Sequence, residues 1–383
     1  MTNPIGTGPY KIESFAEGDK VKYSFNDRYR EPNKPYFATV MLQGGGDGAT
    51  TAQAVLQDGE GDLAWAVLAD RQLLRELEAA GKGVVGSIGN TAVEHIAFNF
   101  SDPKVEIDGE RSSLQAPHPF LTDQVVGQAM TLAIDRKAIP DFFLGPDLEP
   151  VAVNIVTGIA AMESPHTSHE FNIDLANQLL DDAGWTWTGD VRSKDGVELR
   201  VTYHTTDWRA RQRTQHVVRK GWEAIGIRVQ LGQFDPQSFF AADPADDPDG
   251  ILLQKFYCDV EMFSMAAPSP MPLDYMMNWY AGPNNENVAQ KDNGWWLPNI
   301  QRYVNPRYDE LYEEARATTD ATRAIELIIQ MNDIVVNEFV VVPLVAHTSE
   351  VYAISNRLLH ENVAASPWEP LYWNIANWRT VEG

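Results

Sequence analysis

The chain has 383 residues, of which 44% are hydrophobic and 22% are charged, which excludes wholesale disorder and allows two or three domains. Asp and Glu outnumber Lys and Arg by 54 to 30, so the formal net charge is −24. Such a surface repels phosphate backbones and anionic lipid headgroups, and no basic patch interrupts it. The composition therefore argues against a protein that binds nucleic acid or membrane surfaces.

Cysteine content and hydropathy further restrict the class of protein to which the chain can belong. The single Cys258 excludes an intrachain disulfide and a multi-cysteine zinc site, and its apolar neighbours predict a buried core residue rather than a nucleophile. The first residues, Met1–Gly6, show neither the basic nor the apolar region of a signal peptide. No uncharged apolar stretch reaches the roughly 18 residues that span a bilayer, so a soluble protein is expected.

The first part of the chain predicts short strands and helices. Apolar and polar residues alternate on both sides of Gly18-Asp19, which predicts a β-hairpin. The pattern then predicts, in order, a strand over 36–43, a helix over 50–56, a strand over 62–66, a helix over 69–80, a strand over 94–100 and a helix over 123–134.

The second part of the chain alternates between helices and strands. Gly184 and Gly226 each follow a helical pattern, at the position where a left-handed residue ends a helix. Helices are predicted over 174–183, 209–224, 308–316 and 322–338, and strands over 199–204, 227–231, 251–263 and 340–345. This alternation predicts an α/β fold rather than an all-β or all-helical one.

The chain shows no recognised catalytic or cofactor motif. The Gly6–Pro9 turn lacks the third glycine of a dinucleotide fingerprint, and there is no nucleophile elbow, P-loop or His-Glu-x-x-His. His166 and His169 have no third ligand at a compatible spacing, which favours an exposed polar loop over a metal site. The acidic stretch 243–250 is broken by prolines and lacks the last glutamate of an EF-hand, which favours a solvated loop. We therefore expect no cofactor and no metal.

Several short segments, read in chain order, carry a family resemblance. They are Gly6-Thr7-Gly8-Pro9-Tyr10-Lys11, Lys34-Pro35-Tyr36, Gly59-Glu60-Gly61-Asp62, Ile96-Ala97-Phe98-Asn99, Ala133-Ile134-Asp135-Arg136, Ala183-Gly184-Trp185, Asn305-Pro306-Arg307-Tyr308 and Val341-Val342-Pro343-Leu344. In this order the chain resembles the family 5 extracytoplasmic solute-binding proteins of ABC transporters, which include oligopeptide-, dipeptide- and nickel-binding proteins. The resemblance covers nearly the whole chain.

The resemblance implies an α/β, two-lobed periplasmic-binding-protein-like fold with a large second lobe, from which the N-terminal segment of lobe one is missing. Lobe one would comprise residues 1–65 and 348–383, and lobe two residues 66–347. The implied function is the substrate-binding component of an ABC importer. Such a component would be a monomeric, non-enzymatic periplasmic or extracytoplasmic protein that captures a peptide or peptide-like solute in an inter-lobe cleft and delivers it to a membrane permease.

One departure from the family concerns the ligand. Peptide-binding members hold the amino terminus of the ligand with an Asp, and an ungapped alignment from Asp259-Val260 places Pro268 at that position. A proline can neither pair with an ammonium group nor donate a backbone N–H. The departure shifts the expected ligand toward oligosaccharides, opines or modified peptides. For these ligands, stacking on aromatic rings matters more than an ion pair with an ammonium group.

By the same resemblance, we expect the wall of the cleft at a small set of residues, namely Trp65, Asn99, Met265, Ser269 and Trp279, with Tyr257 and Trp295 as further candidates. Each Trp could equally be a core residue, and Asn99 could form a hydrogen bond with a neighbouring backbone group.

The alternative from another class is a secreted carbohydrate-active enzyme, since carboxylates and tryptophans are abundant. The sequence does not show which two carboxylates would form the catalytic pair, because their separation depends on the fold.

Overall fold

The computed structural model describes residues 4–16, 18–67, 69, 71–240, 250–364 and 366–381, with only the backbone of Thr348. The chain divides into two compact units, which comprise residues 1–90 with 349–383, and residues 91–348. The lobe boundary expected at residue 65 stays a prediction, whereas these units divide at residues 90 and 348. The acidic loop expected at 243–249 lies outside the described residues.

The smaller unit contains a three-stranded antiparallel sheet. Strand β1 (Tyr10–Ala16) pairs with β2 (Lys20–Phe25), which pairs with β3 (Thr39–Gln43). This confirms the predicted hairpin, whose turn has Gly18 at a φ of +71°, in the left-handed region that glycine tolerates. The unit continues through helix α1 (Gly48–Gln53), a π-helical turn (Ala54–Asp58), strand β4 (Leu63–Ala64) and helix α2 (Arg71–Glu78).

Two long strands carry the chain from one unit into the other. Strand β5 (Gly83–Phe98) leads into the larger unit, whose short strands are β6 (Glu106–Ile107), β7 (Glu110–Arg111), β8 (Thr186–Thr188), β9 (Val191–Lys194) and β10 (Val197–Glu198). Its longer strands are β11 (Arg200–Thr206), β12 (Arg228–Phe234) and β13 (Val260–Ala266), and β14 (Val341–Ser355) leads back. In the larger unit they form a mixed sheet in the order β12-β11-β13-β5-β14, with β11 parallel to β12 and β13, and β5 antiparallel to β13.

Helices cover this sheet and bury two apolar clusters. Ile96 and Phe98 of β5 pack in a first cluster with residues of α3 (Gln124–Leu132), α4 (Ile173–Asp182) and α5 (Arg209–Ala224). Val93 and Val341 lie in a second cluster, to which α8 and α9 contribute. The remaining helices are α6 (Pro236–Phe239), α7 (Leu273–Met276), α8 (Pro306–Ala317) and α9 (Ala321–Asn337). In the part of the chain that the structure describes, no helix is long and apolar enough to cross a membrane.

The helices predicted over 209–224 and 322–338 are confirmed almost to the residue, but the strand predicted over 251–263 is wrong at its start. Only β13 (Val260–Ala266) is a strand there, and Phe256 is buried in a turn with a φ of +51°. A short apolar run looks the same in sequence whether it is buried as a strand or as a turn. The structure also extends β5 back to Gly83, where the glycines hide the alternation that marks a strand.

Gly221 controls how closely α5 approaches the end of α3. A Cβ atom built at Gly221 would lie 1.8 Å from the carbonyl oxygen of Ala133, a backbone atom that cannot rotate away. One turn of α5 is therefore in direct contact with the chain at Ala133. On the next residue of the helix, Trp222 is fully buried and donates its Nε1 proton to the carbonyl oxygen of Met130 at 2.9 Å.

We predict that Gly221→Ala lowers the free energy of unfolding. Alanine gains roughly 1 kcal/mol of helix propensity over glycine, but overpacking at a contact this short costs about 3 kcal/mol, so the clash prevails. Urea unfolding followed by circular dichroism measures the difference. Lys220→Ala, at the neighbouring exposed position of α5, is the matched control and should change stability by less than about 0.5 kcal/mol. A more stable Gly221→Ala protein would contradict the close approach.

Candidate functional site

In the larger unit, strands β11, β12 and β13 end at one edge of the sheet, which we call the carboxyl edge. Thr206 ends β11 opposite Phe234 of β12, and Ser264 of β13 pairs with Glu94 of β5. Helix α5 begins directly after β11, so its first turn, with Arg211, lies at the same edge. In open α/β sheets, ligands bind at the carboxyl ends of parallel strands. The carboxyl edge is therefore the first place to look for a site.

A buried ion network occupies the carboxyl edge. The Arg211 guanidinium donates from Nε to Glu94 Oε1 at 2.9 Å and from Nη2 to Glu94 Oε2 at 3.1 Å, a bidentate pair. The two ring nitrogens of His347 lie 3.5 Å from Glu94 Oε2 and 2.6 Å from Glu149 Oε1. The side chains of Glu94 and Glu149 are 0% and 4% exposed, so two carboxylates face two cationic groups away from water.

The surroundings shift the pKa values of Glu94 and His347 so that each favours its charged form. Burial opposes the charge on Glu94, but the Arg211 guanidinium and the hydrogen bond from His347 outweigh it and lower the Glu94 pKa to about 2. Burial also opposes protonation of His347, but its hydrogen bonds to Glu149 and Glu94 outweigh this and raise the pKa to about 9. At neutral pH these shifts favour the carboxylate form of Glu94 and the imidazolium form of His347.

Polar and aromatic side chains surround the network. Arg211 also donates to Thr206 Oγ1 at 3.1 Å and to Ser264 Oγ at 3.3 Å. Its guanidinium carbon lies 5.8 Å from the centre of the Trp208 ring and 5.9 Å from that of Phe240. Phe240 is 43% exposed and Trp208 is partly exposed. The edge thus combines a compensated set of charges with aromatic rings on which a solute can stack.

The arrangement fits binding better than acid–base chemistry. A glycosidase needs one carboxyl group with a raised pKa as its general acid and a second carboxylate at a set distance. Glu94 has a lowered pKa and is held by Arg211, and Glu149 accepts from His347 and from the backbone N–H of Leu144 at 2.5 Å. Both carboxylates are therefore committed to contacts within the protein.

A cavity of about 350 Å³ lies elsewhere in the larger unit, beyond the opposite end of β5. Phe100, Asn305 and Glu338 line it. The carboxylate of Glu338 there already accepts from Tyr303 Oη at 2.8 Å and from Asn305 Nδ2 at 3.0 Å. The cavity lies at the amino ends of the parallel strands, so the carboxyl edge remains the stronger candidate.

Two of the residues expected in the cleft wall are buried. Asn99 is 0% exposed, and its Nδ2 donates to Ser112 Oγ at 3.0 Å and to the carbonyl oxygens of Phe256 and Cys258 at 2.8 and 3.0 Å. Trp279 is 1% exposed and donates to Gln301 Oε1 at 2.8 Å. Both side chains therefore support packing in this structure, and we do not carry them into the proposed site.

Met265 and Ser269 come shortly after Ser264 in the chain, and Ser264 is a residue of the carboxyl edge. Met265 is the neighbour of Ser264 on β13 and is partly exposed. Ser269 is also partly exposed, but its hydroxyl donates to the carbonyl oxygen of Met271 at 2.8 Å. Pro268, at the position expected for the peptide-clamping Asp, is exposed. A ligand contact at Met265 or Ser269 stays a prediction.

The other three expected residues are aromatic. Trp65, in the smaller unit, is 50% exposed and packs edge-on against Tyr372, with ring centres 5.6 Å apart. In the larger unit, Tyr257 carries the Arg111 guanidinium 4.4 Å above its ring, and the Trp295 ring lies 5.2 Å from Lys255 Nζ. Of the three, Trp65 has the most exposed ring, and its role in binding stays a prediction.

Sequence reasoning missed Glu94, Arg211 and His347, although it predicted the strand that carries Glu94 and the helix that carries Arg211; the strand predicted over 340–345 ends before His347. Glu94 was one polar position of an alternating strand, and Arg211 one of several arginines on a helix. The signal was present in part, since a charged residue on an otherwise apolar strand is rarely buried without a partner. The sequence could not identify that partner, because Glu94 and Arg211 are 117 positions apart.

We predict that stability falls as pH rises through the pKa of His347. The folded-state pKa, about 9, exceeds the ordinary value of 6.5, so the stabilisation is complete below about pH 6.5 and is lost as pH rises through about 9. Melting temperatures between pH 6 and pH 10 measure this loss. His347→Gln should be less stable at pH 6 and should show a shallower decline.

His166→Gln is the matched control, because His166 is an exposed histidine that pairs with Asp333 Oδ2 at 3.0 Å. Its profile should follow that of the parent chain. Parallel profiles for the parent and His347→Gln would contradict the assigned charge of the network. At the acid end Glu94 acts in the opposite sense, since its stabilisation is present above about pH 4.5 and is lost as pH falls through about 2.

Comparison with known proteins identifies relatives along most of the chain. Residues 1–287 match the family described as bacterial extracellular solute-binding proteins, family 5 Middle. The oligopeptide-binding protein AppA of Bacillus subtilis is 27% identical over 237 residues, which cover 59% of this chain and 39% of AppA. The di/tripeptide-binding protein 3 of Pseudomonas aeruginosa is 22% identical over 94% of this chain and 58% of its own length. The chain thus spans about half the length of these curated relatives.

Solved structures show the same fold. The structure of Bacillus subtilis AppA in complex with a nonapeptide matches 98% of this chain and 66% of its own, with a TM-score of 0.71 and 20% identity. NikZ of Campylobacter jejuni in complex with Ni(L-His) matches 99% of this chain and 69% of its own, with a TM-score of 0.74 and 19% identity. These likenesses confirm the expected α/β, two-lobed periplasmic-binding-protein-like fold. Because the family match covers well over half of the residues, this chain belongs to the bacterial extracellular solute-binding proteins of family 5.

Proposed function

We propose that this chain captures a peptide or peptide-like solute for an ABC importer, acts outside the cytoplasm as a monomer, and delivers the solute to a membrane permease without catalysing a reaction. The observation that carries the proposal is the carboxyl edge, where a buried, charge-balanced network supports partly exposed aromatic rings. The names of the relatives support the solute class, since AppA is called an oligopeptide-binding protein and its structure holds a nonapeptide.

The charge balance of the edge bears on which solutes fit. Glu94 is paired with Arg211 and His347, and Glu149 with His347, so the network offers no uncompensated charge to a peptide terminus. Pro268 supplies none either. We infer that the solute is held mainly through backbone hydrogen bonds and ring stacking rather than through its terminal ammonium group.

An oligosaccharide or opine is the second candidate solute. Pro268 is the specific observation in its favour, because a solute without a terminal ammonium group does not need the missing Asp. Sugar rings and aromatic side chains also stack face to face through apolar and π surfaces. The two candidates share the site and differ in the solute, so one panel of ligands distinguishes them.

We predict that peptides raise the melting temperature of this chain by mass action and that acetylation of the peptide amino terminus changes the affinity by less than about threefold. A thermal-shift panel of free and acetylated peptides, oligosaccharides and opines makes the comparison. A response to sugars or opines alone would favour the second candidate. Hydrolysis of a chromogenic glycoside would favour an enzyme, and a panel without any shift would contradict the proposal.

We further predict that Trp208→Ala weakens solute binding about tenfold, because one stacking contact is worth about 1 kcal/mol beyond the area that it buries. Isothermal titration with the best ligand of the panel measures the loss. Trp296→Ala is the matched control, since Trp296 is 60% exposed in the larger unit and is not part of the carboxyl edge. Equal affinities for Trp208→Ala and the parent would remove Trp208 from the site.

A further inference from the structure

Three side chains with different donor atoms meet inside the larger unit. Cys258 Sγ, one ring nitrogen of His204 and one carboxylate oxygen of Glu261 all lie within 4.8 Å of one another. His204 on β11 and Glu261 on β13 are register partners on adjacent parallel strands, so their side chains point to the same side of the sheet. Cys258 lies just before β13, with its Sγ 3.6 Å from Glu261 Oε1.

The Glu261 carboxyl group is buried, and no described residue forms a salt bridge with it. It is 1% exposed, and its Oε2 atom has no hydrogen-bond partner among the described residues. Arg302, whose charge acts on Glu261, donates instead to the carbonyl oxygens of Ile300 and Lys255. A buried polar atom without a hydrogen bond destabilises the folded protein. A bound ligand that contacts this oxygen would remove that cost.

Burial disfavours the charged form of each of the three groups when no cation is present. Burial raises the pKa of the Cys258 thiol and of the Glu261 carboxyl well above their ordinary values. Burial lowers the pKa of His204 to about 4, so its ring is already in the neutral form that binds metals. Three other charged groups act on the cluster, namely Asp259, Arg111 and Arg302.

We propose that Cys258, His204 and Glu261 bind a divalent zinc ion. Zinc bonds of about 2.0–2.3 Å in tetrahedral geometry place two ligand atoms about 3.6 Å apart, which matches the sulfur–oxygen separation. The other two pairs, whose atoms lie within 4.8 Å of each other, need to come closer by at most about 1.5 Å. A thiolate disfavours magnesium and calcium, and three protein ligands leave the fourth position to a water molecule.

Charge balance supports a divalent ion at this place. The Cys258 thiol loses its proton on binding, and the thiolate together with the Glu261 carboxylate neutralises Zn²⁺ in the interior. No electron is transferred. Of the three residues, His204 is the one with partial exposure, which gives the ion a way in from solvent.

Gly232 on β12 leaves the space that the His204 ring occupies. A Cβ atom at Gly232 would lie 2.6 Å from Cδ2 and 3.0 Å from Nε2 of His204. The ring of Phe234 packs edge-on against the His204 ring, with centres 4.8 Å apart. The imidazole is thus held in one orientation by packing, as a preorganised ligand requires.

Cobalt(II) is the probe that tests the site, because a cobalt–thiolate bond gives an intense near-ultraviolet charge-transfer band. After treatment with a chelator, the full chain should take up one equivalent of Co²⁺ with this band, and Zn²⁺ should bleach it. Cys258→Ser should lose the band, and Glu261→Gln and His204→Gln should weaken metal binding by about tenfold or more. His166→Ala, which removes an exposed histidine, is the matched control and should bind as the parent does.

Proton release provides a readout that does not depend on colour. Calorimetry in buffers of different ionisation enthalpy should show proton release on Zn²⁺ binding by the parent chain at pH 7, because the Cys258 thiol must lose its proton to bind the metal. The proposal is overturned if the parent shows no thiolate band, if Cys258→Ser keeps it, or if no protons are released. Circular dichroism checks the fold of each variant, and Glu261→Gln, of nearly the same shape, serves if Cys258→Ser does not fold.

Discussion

The bidentate pair between Glu94 and Arg211 is the interaction on which the carboxyl edge depends. A carboxylate that is 0% exposed would revert to its neutral form without a partner, because transferring an isolated charge out of water is very costly. Arg211 supplies both hydrogen bonds and the opposite charge from the first turn of α5. The pair therefore requires that β5 and α5 keep one relative position, and it joins two elements that are far apart in the chain.

His347 extends this constraint to two further segments. Its imidazolium lies between Glu94 on β5 and Glu149 in the loop that follows Leu144, while His347 itself belongs to β14. Strands β5 and β14 are also the strands through which the chain enters and leaves the larger unit. The same ions that stabilise the edge thus fix the ends of both connecting strands within this unit, next to the aromatic rings proposed to hold the solute.

Buried carboxyl groups occur in two different environments in the larger unit. At the carboxyl edge, Arg211 and His347 lie against Glu94 and Glu149, and the pKa values of Glu94 and His347 are shifted toward ionisation. At Glu261, the environment raises the pKa and leaves one oxygen unpaired beside a thiol and an imidazole. The first arrangement is complete within the protein, whereas the second has the donor set and the charge deficit of a metal site.

Local pattern in the sequence determined the elements of this protein, and tertiary structure decided which side chains meet. The periodicity of α5 and α9, the hairpin around Gly18 and the α/β alternation were readable because they depend on neighbours along the chain. The family was also readable, because its short segments occur in a fixed order. The start of β5 and the true length of β13 were not, since glycines and buried turns do not carry the strand pattern.

The candidate sites, in contrast, could not be predicted from the sequence and depend on the tertiary structure. Asn99 and Trp279 had the chemistry of a binding wall, yet packing buried them, while Arg211 looked like an ordinary surface arginine and became part of a buried network. Cys258 was correctly expected in the core, but its nearness to His204 depends on how β11 and β13 pair. Sequence specifies residue types and local geometry, whereas burial and charge pairing arise from long-range contacts between strands and helices, and these decide function.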